Sequence, residues 1–85
     1  MVSLQRTVWD NKVLKGYNTT DIPLEFCMLQ EKAAAAFTAW RKKPELLGEE
    51  LADVVLYAAS IAEMTGLDLE HEVKVKVEKN SARSD

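Results

Sequence analysis

This sequence is short of the residues on which several kinds of site depend. Its single cysteine, Cys27, cannot form an internal disulfide, and its single histidine, His71, belongs to no zinc or catalytic motif. No apolar run approaches the ~20 residues that span a bilayer, and the chain opens without a stretch resembling a signal peptide. We therefore expect a cytoplasmic protein without a membrane partner, in which Cys27 is a small buried apolar side chain.

Charge and length limit the possible partners. The formal net charge is −3, which argues against non-specific binding to nucleic acid. With 85 residues, the chain forms a single domain, residues 1–85, and buries roughly 60–65% of the surface of its unfolded form. Because so small a core stabilises the fold only slightly, we expect a homodimer or homotetramer in which a second copy completes the core.

Three groups of turn residues divide the chain into four segments, at 16–23, 43–44 and 66–68. Helical spacing of apolar residues predicts helices over 3–15, 21–42, 44–64 and from 68 onward. Short connections between such segments favour an all-α, antiparallel bundle of about four helices, three long and one shorter.

The second segment has the clearest helical pattern. Its apolar residues recur at steps of three and four, which predicts that they form the core stripe of the bundle: Phe26, Leu29, Ala33, Ala36, Phe37 and Trp40. The third segment is apolar nearly all round from Leu51 to Met64, which predicts burial on several sides.

The fourth segment contains conflicting signals. Residues 73–77 alternate valine and lysine, as in a strand, whereas Leu69, Val73 and Val77 also share one face of a helix. We predict a helix capped by Asp68, because no other segment offers a strand to pair with.

Two carboxylates on the third segment need a positive partner. Glu50 and Asp53 are three residues apart and share a helix face with Tyr57. Because like charges repel and lose hydration when covered, a divalent cation, a basic side chain or water must offset them. Alternatively, the pair is partly exposed near the helix start, where the helix dipole favours negative charge.

Four stretches together resemble the MazG-like, all-α nucleoside triphosphate pyrophosphohydrolases. Residues 47–54 are similar to the ExxD motif of that family, and 61–70 to the helix end and turn after it. Residues 11–18 resemble the loop after the first helix, and Lys76, Lys79, Asn80 and Arg83 resemble the end of the last one. The resemblance extends from about Val8 to Arg83.

The resemblance implies hydrolysis of a nucleoside triphosphate to the monophosphate and pyrophosphate. Family members use Mg²⁺ held by an EExxE motif on one helix and ExxD on the next, and carboxylate oxygens are the ligands that Mg²⁺ prefers. Glu31, Glu50 and Asp53 are then the catalytic and metal-binding residues. The resemblance also implies substrate-binding residues on the phosphate side: Lys76, Lys79, Asn80 and Arg83. Alternatively, these residues form an ordinary basic helix end, where cations suit the helix dipole. Lys12 is a further candidate for substrate binding.

The second segment departs from the family pattern. Residues 36–42 set the register, which places the EExxE positions on Glu31, Lys32 and Ala35, so two of the three glutamates are replaced. Our hypothesis is that the Lys32 ammonium pairs with Glu50 and Asp53 and takes the place of the metal. In the alternative, the Lys32 side chain extends to solvent.

Two classes of function remain open. The chain is either a pyrophosphohydrolase with impaired activity or a non-catalytic relative. The non-catalytic relative binds a nucleotide, or it only assembles with itself or binds a partner. Trp9, Lys12 and Tyr17 could contact a base or a sugar, although aromatic residues beside a helix stop more often serve packing.

Overall fold

The computed structural model describes residues 3–83, which form four α-helices and contain no strand. The elements are α1 (Leu4–Leu14), α2 (Ile22–Lys42), a short 3-10 turn (Pro44–Leu46), α3 (Leu47–Met64) and α4 (Leu69–Ala82). The all-α prediction is confirmed, and the conflict over residues 73–77 is decided in favour of a helix. One detail differs, because Pro44 begins the 3-10 turn and α3 itself starts at Leu47.

Local chemistry explains where the helices begin and end. Ser3, Asp21 and Asp68 are N-caps whose side-chain oxygens accept hydrogen bonds from backbone N–H groups of the first turn. Gly16 and Gly66 follow α1 and α3 with φ angles of 70° and 76°, in the left-handed region that disfavours other residues.

The helices pack around α3. Helix α2 and α3 form a helical hairpin, and α1 lies against α3. Helix α4 makes few contacts with the other helices, and none of its described side chains is buried. Within residues 3–83, no helix is long and apolar enough to cross a bilayer.

The side of α2 that faces the rest of the chain differs from the prediction. Among the described residues, the buried apolar side chains are all alanines, namely Ala36, Ala39, Ala59 and Ala62. Phe26, Phe37 and Trp40, predicted as core, are exposed in the single chain. The prediction is wrong for the single chain, because the small and charged side chains of α2 face the other helices and its aromatic side chains do not.

Two further burial predictions are wrong for the single chain. Cys27 is exposed, because it lies on the opposite side of α2 from the inward-facing residues Glu25 and Ala36. Helix α3 is not covered all round, since Leu51 and Val55 are exposed on a side that no described helix covers fully.

Candidate functional site

Helices α1, α2 and α3 enclose an open cleft of about 830 Å³. Its floor and rim come from the inward faces of all three helices and from the loop after α1. Apolar side chains of α1, α2 and α3 line part of it. The polar and aromatic residues that line it are Thr7, Asn11, Lys12, Tyr17, Asn18, Glu25, Lys32, Asp53, Tyr57 and Ser60.

A buried ion pair joins α1 to α2 in this cleft. The Lys12 ammonium contacts the Glu25 carboxylate, and only 1% of the Glu25 surface is exposed. Lys12 Nζ also lies 5.4 Å from the centre of the Tyr57 ring, within range of a cation–π interaction. Because each side chain has lost most of its hydration, each charge offsets the cost of burying the other.

Tyr57 is one of the two tyrosines that line the cleft. Burial raises the pKa of its phenol, and the nearby Glu25 carboxylate raises that pKa further because phenolate beside carboxylate is unfavourable. The Tyr57 hydroxyl therefore stays protonated at neutral pH, where it can donate a hydrogen bond to a ligand.

A second ion pair lies between α2 and α3. Lys32 Nζ is 3.5 Å from Asp53 Oδ2, with both side chains partly exposed. The negative charge of Asp53 raises the pKa of Lys32, and Glu50 adds to this effect, whereas burial opposes it. Lys32 therefore contacts Asp53, one of the two carboxylates in our hypothesis, whereas no ion pair between Lys32 and Glu50 is found among the described residues.

The carboxylates predicted to hold a metal are only partly brought together. Asp53 lines the cleft and pairs with Lys32, whereas Glu31 is exposed and does not line it. Glu50 Oε2 is buried and accepts no hydrogen bond within the described chain. Ala35, the second of the two altered motif positions, is partly buried on the inward side of α2.

This donor set does not fit a magnesium ion. Within residues 3–83, no group of three carboxylate, histidine or cysteine side chains is close enough to hold a metal. Mg²⁺ needs near-octahedral oxygen ligands, and a lysine ammonium beside Asp53 repels a cation.

The predicted substrate-binding residues fall into two groups. Lys12 lines the cleft, and so does Tyr17, whereas the partly buried Trp9 does not. The four residues of the α4 end are exposed and none of them lines the cleft in the single chain: Lys76, Lys79, Asn80 and Arg83. Their binding role stays a prediction.

Glu25 is the site residue that the sequence analysis missed. A signal for it exists, because positions 28, 32, 35 and 39 form the inward stripe of α2, and position 25 extends that stripe by one turn. Its pairing with Lys12 could not be predicted, since the two residues belong to different helices.

No protein-family model, curated protein or solved structure matches this chain. The chemistry of the cleft is therefore argued from its own residues. They offer two lysines that are each paired with a carboxylate, tyrosine rings with hydroxyls, and side-chain amides, which is a set able to hydrogen-bond and stack on a polar ligand with a planar group.

Proposed function

We propose that this chain is a MazG-like nucleoside triphosphate pyrophosphohydrolase whose activity is impaired. The observation that carries the proposal is the Lys32–Asp53 ion pair of 3.5 Å. The positive charge that the family obtains from a metal is here supplied by a side chain. A lysine neutralises the Asp53 carboxylate, but it cannot orient and activate water as a metal ion does.

The cleft has the size and chemistry for a nucleotide. A volume of about 830 Å³ lies within the range of small-molecule sites. Tyr17 at the rim can stack on a base, and the side-chain amide of Asn11 can bind a sugar or phosphate oxygen. Lys32 is the less buried of the two cleft lysines, so it is the cation that we expect to meet phosphate oxygens.

A second candidate function follows from the same contact. If Lys32 neutralises Asp53 permanently, the chain binds a nucleotide without hydrolysing it. The four-alanine core favours a related alternative, in which the chain serves only to assemble with itself or with a partner.

The test restores the two missing glutamates. Pyrophosphate release from a panel of canonical and modified nucleoside triphosphates is measured with Mg²⁺ or Mn²⁺, for the wild type and for the double variant Lys32→Glu, Ala35→Glu. The matched control is Ala34→Glu, Lys42→Glu, which makes the same change in charge at two exposed positions of α2. Nucleotide binding is measured for all three proteins by calorimetry.

Slow or absent turnover in the wild type, and a gain only in the Lys32→Glu, Ala35→Glu variant, is the expected result. If the wild type binds nucleotides, and neither it nor the Lys32→Glu, Ala35→Glu variant hydrolyses them, the result supports the non-catalytic alternative. If none of the three proteins binds or hydrolyses any nucleotide, the proposal is wrong.

A further inference from the structure

A second, smaller groove lies between α1, α3 and α4. Its volume is about 300 Å³, at the lower end of the range of small-molecule sites. The residues that line it are mostly apolar, with three polar ones: Leu4, Val55, Ala59, Leu69 and Val73, and Gln5, Glu70 and Lys74. Val55 and Ala59 are rotated by roughly 130° around α3 from the residues that line the larger cleft, so the groove lies on another side of that helix.

The groove stays open because hydrogen bonds, rather than packed side chains, hold α4 to the other helices. Helix α4 makes few contacts with them, and none of its described side chains is buried. Across the groove from Val73, α3 presents Ala59, whose single methyl group fills little space. Apolar side chains of three helices therefore face the same open volume, and a ligand with an apolar chain can fill it.

Among the described residues, the polar groups of this groove leave one positive charge without a partner. The Gln5 amide forms hydrogen bonds through both its oxygen and its nitrogen, and the Glu70 carboxylate accepts one from the Leu4 N–H at 3.3 Å. Lys74 is exposed, and within residues 3–83 its ammonium forms no hydrogen bond or ion pair. An apolar wall beside a free cation is complementary to an apolar chain that ends in an anion.

We propose that this groove binds a free medium-chain fatty acid as its carboxylate. The chain lies along Leu69 and Val73, and the carboxylate lies beside Lys74, whose own stem extends the apolar wall. From Leu69 to Lys74 the axis of α4 rises about 7.5 Å, so a chain such as that of octanoate fits, whereas a long-chain acid extends into solvent. The proposal does not depend on the function of the larger cleft.

The test is a titration of the full chain with hexanoate, octanoate and octanol, followed by NMR. Octanoate should shift the amide signals of Ala59 and Val73 and leave that of Asp53, which lines the larger cleft, unchanged. Each added methylene should strengthen binding roughly two- to four-fold, because it removes apolar area from water. Octanoate should bind more tightly than octanol, since only the carboxylate attracts Lys74.

Two pairs of variants assign the contacts. Lys74→Gln should weaken octanoate binding about two- to five-fold without affecting octanol, whereas Lys76→Gln, at an exposed position outside the groove, should change neither. Val73→Glu should weaken octanoate binding at least about 10-fold, because it places a like charge beside the carboxylate. Its matched control is Val77→Glu, the same change one turn later at a similarly exposed residue that does not line the groove.

The chain-length series uses only the wild type, so it decides the matter even if a variant unfolds. Absence of shifts at Ala59 and Val73 overturns the proposal, and so does equal affinity for hexanoate and octanoate. Shifts centred on the larger cleft also contradict it. A second copy of the chain in the groove is the remaining outcome against it: octanoate would then not bind, and Val73→Glu would lower the solution mass measured by sedimentation.

Discussion

Two of the residues that line the cleft are charged side chains that the fold shields from water. Lys12 and Glu25 are each buried and pair with each other across two helices. Such a pair adds little net stability, because desolvation offsets the attraction between the charges. Removal of one partner, however, leaves the other charge buried without a partner. Single and paired replacements should therefore have very different effects.

We predict that Lys12→Met lowers the free energy of unfolding by about 3–5 kcal/mol, because it leaves the Glu25 carboxylate buried without a partner. The double variant Lys12→Met, Glu25→Leu should recover most of that loss. Chemical denaturation at one fixed protein concentration measures both, with exposed Lys15→Met as the control. A Lys12→Met protein as stable as the control contradicts the prediction.

We also predict that stability falls as the pH rises above about 10, the ordinary pKa of tyrosine. The folded state raises the pKa of Tyr57, so the unfolded chain loses the phenolic proton first and alkali favours unfolding. The raised pKa of Lys32 acts in the same direction from its ordinary value of 10.5.

Thermal unfolding across this alkaline range tests the assignment to Tyr57. The decline should be smaller in Tyr57→Phe than in the wild type, whereas Tyr17→Phe, at an exposed rim position, should retain it. An alkaline decline that is identical in all three proteins would show that Tyr57 does not cause it.

At the scale of the helices, side-chain hydrogen bonds hold the start of α4 against α1. The Glu70 carboxylate accepts one from the Leu4 N–H at 3.3 Å. The buried Gln5 of α1 donates hydrogen bonds to the Glu63 carboxylate and the Leu67 carbonyl, both at 2.8 Å, and accepts one from the Leu69 N–H at 2.8 Å. The Leu69 amide is one of the first-turn donors that a helix cannot satisfy internally. Because α4 has few other contacts, Gln5 holds its N-terminal end in place.

We predict that Gln5→Ala lowers stability by about 1–3 kcal/mol, since it leaves part-buried polar groups without partners. The Leu69 amide should exchange with solvent faster, while the amides in the middle of α2 should not. Hydrogen exchange followed by NMR measures both quantities. Gln30→Ala, at an exposed position of α2, is the control and should leave the Leu69 amide protected.

At the scale of the whole molecule, close approach of helices replaces a core of large side chains. Ala36 and Ala39 are buried on the side of α2 that faces the other helices, and Ala59 and Ala62 are buried on α3. Small side chains let helices come close but exclude little apolar area from water. Large apolar side chains, among them Phe37 and Trp40, remain exposed in the single chain.

We predict that Ala36→Leu destabilises the protein by about 1–3 kcal/mol, because added methyl groups in a close-packed site force the surroundings apart. Ala34→Leu makes the same chemical change at an exposed position of α2 and should alter stability by less than about 0.5 kcal/mol. Thermal unfolding at matched concentrations compares them. Equal effects at the two positions would mean that Ala36 is not closely packed.

Local signals in the sequence determined where the helices begin and end. Asp21 and Asp68 cap the starts of α2 and α4 by accepting hydrogen bonds from backbone N–H groups three residues ahead. Gly16 and Gly66 follow the ends of α1 and α3 in the left-handed backbone conformation, which glycine adopts without strain. The inward position of Lys32 was also predictable, since a helical register relates it to its neighbours. These features depend on residues close together in the chain, so they can be recognised without the fold.

Only the tertiary structure decided which stripe of α2 faces its neighbours. Phe37 and Trp40 have the spacing of a core stripe, but periodicity indicates that a face is apolar without indicating what covers it. The Lys12–Glu25 pair and the position of Gln5 beside Leu69 likewise required the packing of separate helices. Contacts between residues far apart in the chain depend on how whole helices dock, which no local pattern encodes.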